Sequence, residues 1–216
     1  MGRAGDYTGA QTMRLGLLGP ALDHQAHLER AAAWLRDEQK VERVLYLGAD
    51  SALDQIVSRW AAELVGPKAE DTTIMTRAAA RCLHGDPSEI DEFLGKEERR
   101  SALRMFESLP GETTRSVELV GGKVAVMLYD KAYLEEDDIL PATLLIFGKS
   151  QKPLIRQVGR RWFLSPGSFP QAGIMVVDDA AERLTACAYD EAGSVIEKRA
   201  LTAPKTLRMR ASGTRS

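Results

Sequence analysis

A small set of polar side chains carries whatever chemistry this sequence can do. Asp23, His24 and His27 follow the first apolar run, Asp50 follows the second, and His84 and Asp86 lie in a polar middle region. Further along, Tyr129-Asp130 ends an apolar run and Gly148-Lys149-Ser150-Gln151 ends another. Carboxylates and imidazoles at the ends of buried strands are the donor types of a divalent-cation site. Each residue also has a plainer role. Asp23 can cap a helix, His24 and His27 fall on its first turns, Asp50 flanks a helix start at Ser51, and Asp130 opens a charged loop. Nucleophilic chemistry has less behind it. No G-x-S-x-G elbow occurs, and Ser165-Pro-Gly-Ser168 reads as a turn after a strand. The Gly19-Pro20 loop is no phosphate cradle, because proline lacks the N–H and only one glycine is present. Cys82 and Cys187 have no zinc-like spacing and are expected to be buried or half-buried small residues.

The elements that position these residues can be read from periodicity. Met13 to Leu18 is a strand-sized apolar run stopped by Gly19-Pro20. Leu28, Ala31, Ala32 and Leu35 then recur at helical spacing. Val44 to Leu47 is a second strand, closed by Gly48. Ser51 and Asp54 resemble a capping box before a helix with Leu53, Ile56, Val57, Trp60 and Leu64 on one face. Strand, helix, strand, helix implies a parallel βαβα opening. In the middle, Ser88 is a candidate cap for a helix that Gly95 interrupts. A second helical piece is expected through Leu103, Phe106 and Leu109 up to Pro110-Gly111. Strands dominate afterwards: Val117–Leu119 and Val124–Leu128 flank a Gly121-Gly122 hairpin turn. Runs at 143–147, 154–158, 162–164, 174–177, 184–189 and 194–200 follow, so one domain with two packed sheets is expected.

Composition bounds the function. The 216 residues hold 29 Lys plus Arg, 31 Asp plus Glu, three His and two Cys, with 44% hydrophobic residues. Such a chain can bury a real core as one domain. Its net charge of −2 offers no general attraction for nucleic acid, so none is expected as a partner. Three histidines are few for a histidine-rich metal enzyme. No apolar run reaches membrane-helix length and residues 1–12 do not read as a signal peptide, so a cytoplasmic location is expected. Residues 1–12 are expected as a flexible N-terminus, 13–201 as the domain, and 202–216 as a flexible basic tail. The acidic run Glu135-Glu-Asp-Asp138 reads as a solvated loop, with a basic partner as the alternative.

The opening strand and helix, Leu47-Gly48, Phe147-Gly-Lys-Ser-Gln-Lys-Pro153 and Ser165-Pro-Gly-Ser168 together resemble the calcineurin-like metallophosphoesterases. The nearest subgroup is the small bacterial and archaeal phosphodiesterase type that includes the retromer phosphoesterase-like subunit. This resemblance implies an α/β fold of two packed mixed sheets flanked by helices, a four-layer αββα sandwich. It also implies a two-metal site whose ligands come from Asp-x-His, Gly-Asp, Gly-Asn-His/Cys-Asp, His-Gly and Gly-His-x-His segments. This sequence departs from the pattern at nearly every ligand. Pro20 and Leu22 stand for the Asp and His of the first segment, and Ala49 stands for the bridging Asp. Gly85-Asp86-Pro87 is aligned with the middle segment, Tyr129-Asp130 with His-Gly, and Lys149 and Gln151 with the two last imidazoles.

The resemblance therefore implies a fold that has kept its frame without its metal ligands. The expectation is a non-catalytic protein-interaction or scaffold module with no cofactor and a protein partner. Pro20, Leu22, Ala49, Asp86, Tyr129, Lys149 and Gln151 are its candidate binding positions, and an apolar surface patch should remain. The alternative is a divergent metal-dependent phosphoesterase with displaced ligands, drawn from Asp23, His24, Asp50, His84, Asp86 and Asp130.

Overall fold

The computed structural model describes residues 13–179 and 183–201. The two flanks expected to be flexible lie outside the described residues. Two sheets face each other across a shared apolar layer. The first has six strands: β1 (Arg14–Leu18), β2 (Arg43–Tyr46), β3 (Phe106–Ser108), β9 (Ile174–Asp178), β10 (Thr185–Tyr189) and β11 (Val195–Ala200). Their order is β11-β10-β9-β1-β2-β3, with β1, β2 and β3 parallel and the remaining pairings antiparallel. The second sheet is built from β4 (Ser116–Val120), β5 (Lys123–Leu128), β6 (Leu144–Phe147), β7 (Leu154–Val158) and β8 (Arg161–Ser165), in the order β4-β5-β6-β8-β7. Here β5, β6 and β8 are parallel.

Alternation along the strands explains the layers. On β2, Val44 and Tyr46 face the helices, while Leu45 and Leu47 face the opposite sheet. Helices α1 (Gln25–Asp37) and α2 (Ala52–Val65) cover the outer face of the first sheet through Leu28, Ala31, Ala32, Leu35, Leu53 and Ile56. The other outer face packs Val126, Leu128, Leu145 and Phe147 under Leu134 and Ala142, in the segment that carries α5 (Glu136–Ile139). The αββα architecture is therefore present, and its fourth layer is thin.

The middle of the chain differs from its sequence reading. A helical hairpin, α3 (Ile74–His84) and α4 (Pro87–Ala102), fills it. Asp86, not Ser88, caps α4: its side chain accepts from the Glu89 amide while the Glu89 side chain accepts from the Asp86 amide. Gly95 does not interrupt the helix. Phe106 belongs to the short strand β3, not to a helix, because its three-residue spacing from Leu103 and Leu109 imitates a helical face. The acidic run is the capped helix α5, tied down by Arg115 to Asp138 at 2.6 Å, not a solvated loop.

Candidate functional site

The parallel strands bring their C-terminal loops together at one end of the sandwich. Closure there is tight. The backbone of Gly148, just after β6, lies against the Leu47 carbonyl, and a Cβ at Gly148 would sit 1.9 Å from that oxygen. Only glycine lets the two sheet ends approach so closely. The Gly148 amide donates to the Leu128 and Tyr129 carbonyls, and the Lys149 amide donates to the Tyr129 carbonyl at 2.7 Å. These bonds lock the loop after β6 onto the loop after β5.

Pro20, Leu22, Ala49, Tyr129, Lys149 and Gln151 all lie on these strand-end loops. Pro20 is buried, and its carbonyl accepts from the Phe169 amide at 3.2 Å. Leu22 is 54% exposed, with φ at +46°, and Asp23 follows with φ at +49°. His24, not Asp23, sits at the start of α1, and neither caps it by a side-chain bond. Ala49 and Gln151 are exposed and Tyr129 is half-buried. Asp86 does not join them. It lies in the turn of the α3–α4 hairpin, whereas the third parallel strand, β3, ends at Ser108 and is followed by Leu109-Pro110-Gly111. The latter lies beside the loop after β2, where the Leu109 amide donates to the Tyr46 carbonyl at 3.1 Å.

Two of the carboxylates near the loops, Asp50 and Asp130, accept bonds from protein donors. Asp50 Oδ1 accepts from the Tyr46 hydroxyl and from the Ala52 amide, each at 2.9 Å. Ser51 makes no capping bond, and Asp54 accepts from the Ser108 hydroxyl at 2.8 Å, so the box expected from Ser51 and Asp54 is not formed. The Tyr46 hydroxyl also accepts from the buried Ala21 amide at 3.0 Å. Tyr46 thus ties the loop after β1 to the loop after β2. Burial pushes its pKa above the ordinary phenol range, the Ala21 amide opposes this, and the nearby Asp50 charge adds to it. Sequence reasoning missed this residue. Its only signal was one tyrosine in an otherwise aliphatic strand.

The second carboxylate, Asp130, is paired across the loops. Its Oδ2 lies 2.6 Å from Lys149 Nζ and its Oδ1 accepts from the Ala132 amide at 3.0 Å. The hydrogen bond with Lys149, then the Ala132 amide, hold the Asp130 carboxyl below its usual range. The same pairing raises the Lys149 ammonium. Lys149 also lies 5.9 Å from the Tyr129 ring centroid. Tyr129, Asp130 and Lys149 form one cluster in place of the imidazoles the family pattern has there.

The donor set does not fit a pair of metal ions. A two-metal centre needs several carboxylates and imidazoles with free lone pairs converging on one point. Here a proline, a leucine and an alanine offer none, and a lysine brings positive charge. Asp130 spends both oxygens on protein donors, and Asp50 spends its Oδ1 on two. Among the described residues, no three His, Cys, Asp or Glu side chains cluster in a metal-holding arrangement. The histidines are engaged elsewhere or exposed. His24 and His27 stack edge to face at 5.4 Å, His27 Nε2 lies 2.9 Å from Glu191, and His84 is exposed at the end of α3. Cys82 is exposed rather than buried, and Cys187 is buried as expected. Trp34 and Trp60 are partly buried and Trp162 is buried in the core.

No family model matches the chain, and no curated protein matches it. Solved structures do. A conserved uncharacterized protein of Streptococcus pneumoniae TIGR4, described as a predicted phosphoesterase, is 11% identical, with a TM-score of 0.48 over 89% of this chain and 99% of that one. An archaeal phosphodiesterase is 12% identical, with a TM-score of 0.42 over 87% and 99%. Wild-type Vps29 of Entamoeba histolytica, solved with zinc, is 16% identical, with a TM-score of 0.45 over 88% and 100%. The chain folds as two mixed sheets, of six and five strands, flanked by helices. The six- and five-stranded mixed sheets, with α1 and α2 on one outer face, are the sandwich that the sequence resemblance implied. No helix of the described residues is long and apolar enough to cross a membrane.

Proposed function

We propose that this chain is a non-catalytic, phosphoesterase-like protein that uses its strand-end loops to bind a protein partner. The observation that carries the reading is the Lys149–Asp130 pair at 2.6 Å, which sets a lysine ammonium, bonded to a neighbouring carboxylate, at the loop after β6. The surface around it is mixed in character. Leu22 is exposed on a left-handed turn, Ala49 and Gln151 are exposed, and Tyr129 offers part of a ring beside the Lys149 ammonium. An exposed leucine beside a tyrosine and a charged rim is the composition of a protein contact.

Two arms test the proposal. Purified full-length protein is assayed for hydrolysis of bis(p-nitrophenyl) phosphate in added manganese, and no turnover above buffer is expected. Affinity purification from the native cell is then run with the wild type and with Leu22→Asp and Tyr129→Asp variants. One partner retained by the wild type and lost by both variants is expected. Turnover that disappears in Asp50→Ala overturns the reading in favour of displaced metal ligands, and a partner held equally by both variants removes the loops from the interface.

A further inference from the structure

Helix α3 is seated with its polar side inward. At about 3.6 residues per turn, Met75, Ala79 and Cys82 share one side, with Leu83 beside them, and Arg77 lies opposite. That side is exposed throughout, Met75 at 76% and Leu83 at 74%, whereas the Arg77 side chain is only 15% exposed. An ordinary surface helix does the reverse, as α1 and α2 do with Leu28, Leu35, Leu53 and Ile56. No residue of α3 is buried and none joins an apolar core cluster; Ile74 and Ala78 are half-buried at the margin.

One side chain makes the polar attachment. Arg77 Nε and Nη2 each lie 2.8 Å from Glu97 Oε1 on α4. Its Nη1 donates to the Lys68 carbonyl and the Thr73 hydroxyl, just before α3. Among the described residues, no other side chain of α3 is hydrogen-bonded or ion-paired to α4. The two helices and the end of α2 border an open cleft of about 830 Å³, edged by Leu64, Val65, Arg77, Ala80, Phe93 and Lys96. Helix α3 thus spans a cleft instead of filling it. Helix α4 has anchors of its own. Its Arg100 donates to Glu97 at 2.7 Å and to Asp71 at 2.6 Å, the Asp86–Glu89 box closes its first turn, and it packs along α2.

We propose that α3 is a releasable strap. Breaking the Arg77–Glu97 pair lets it leave α4 as a unit while α4 and the two sheets stay folded. Its departure opens the cleft along α4 and the end of α2. Little apolar contact is lost, because the apolar side is already in water. A helix as short as α3 does not hold itself together alone, so the released strap unfolds. The device stands apart from the strand-end loops and does not depend on what they bind.

Native-state amide exchange of the isotopically labelled full-length protein, read by NMR at several urea concentrations below the unfolding transition, tests it. The amides from Ala79 to His84 should exchange together, at least about tenfold faster than those of β1 and β2. Their urea dependence should be well below that of the strands, because a local opening exposes little surface. Arg77→Gln, which leaves Glu97 with Arg100, should speed α3 exchange at least about tenfold and leave α4 and β1 unchanged. Trypsin cleavage after Arg81 should quicken by a similar factor. Met75→Ala, on the outward side, should change α3 exchange by less than about threefold. Four results overturn the proposal. The α3 amides exchange only with the strands and at their urea slope, they lack protection in the wild type, Arg77→Gln leaves them as slow as before, or Met75→Ala speeds them as much as Arg77→Gln does.

Discussion

Tyr46→Phe isolates the contact that joins the first two strand-end loops. The substitution keeps the buried ring and removes only the hydroxyl, which accepts from the Ala21 amide at 3.0 Å and donates to Asp50 at 2.9 Å. Asp50 is exposed, so water replaces its lost donor at little cost. The Ala21 amide is buried and has no such recourse; an unsatisfied buried donor costs about 1–3 kcal/mol. Taking about 2 kcal/mol, with about 2–4 °C per kcal/mol for a chain of this size, Tm falls by about 4–8 °C. Urea unfolding at constant slope measures the free energy directly. The Ala21 amide should also exchange about 30-fold faster, if it opens with that loss. Asp50→Asn keeps an acceptor for both donors and should cost under about 1 kcal/mol. A Tyr46→Phe protein within about 0.5 kcal/mol of wild type, with Ala21 exchange unchanged, refutes the claim that this hydroxyl holds the two loops together.

Other substitutions test the rest of the frame. Gly148→Ala forces a Cβ against the Leu47 carbonyl and should cost about 1–3 kcal/mol in urea unfolding, whereas Gly95→Ala, with open space in α4, should stabilise by about 0.5–1 kcal/mol. Glu97 is bonded by Arg77 and Arg100 in the helical hairpin; burial raises its pKa, but the bonds from Arg100 and Arg77 outweigh that and hold it low. Glu97→Ala removes a partner of both Arg77 and the buried Arg100, which keeps Asp71, and should cost about 1–3 kcal/mol, read by urea unfolding. Asp130 has a depressed pKa in the folded protein, so its contribution is present at neutral pH. It is lost as pH falls from about 4, the unfolded value, through the lower folded value. Stability measured against pH should therefore fall less steeply below about pH 4 in Asp130→Asn than in wild type.

The strands were legible because their apolar runs are short and bounded by strong turn residues. Gly19-Pro20 stops β1, Gly48 follows β2, and Gly121-Gly122 forces the β4–β5 hairpin. The middle was not, for local reasons. In β3 only three residues are paired, and Phe106 falls at helical spacing from Leu103, so a short edge strand looked like the end of a helix. The cap of α4 went to Asp86, whose box with Glu89 uses both side chains, although Ser88 has Asp91 at the same spacing in sequence. At the site, the strand-end positions could be read from the chain, but the Lys149–Asp130 pair joins residues 19 apart, and no periodicity reveals it. Tyr46 was equally hidden, since periodicity gives the face of a strand residue and not the reach of its hydroxyl past the strand end. The loop after β3 shows the same limit: only the pairing of β3 with β2 puts Leu109-Pro110 beside the loop after β2.

Manganese titration of the full-length protein, followed by calorimetry, tests the central claim most directly. With Asp50 and Asp130 engaged and lysine in place of an imidazole, no saturable site tighter than about 1 mM is predicted. Two sites of about micromolar affinity, lost in Asp50→Ala, would contradict the account.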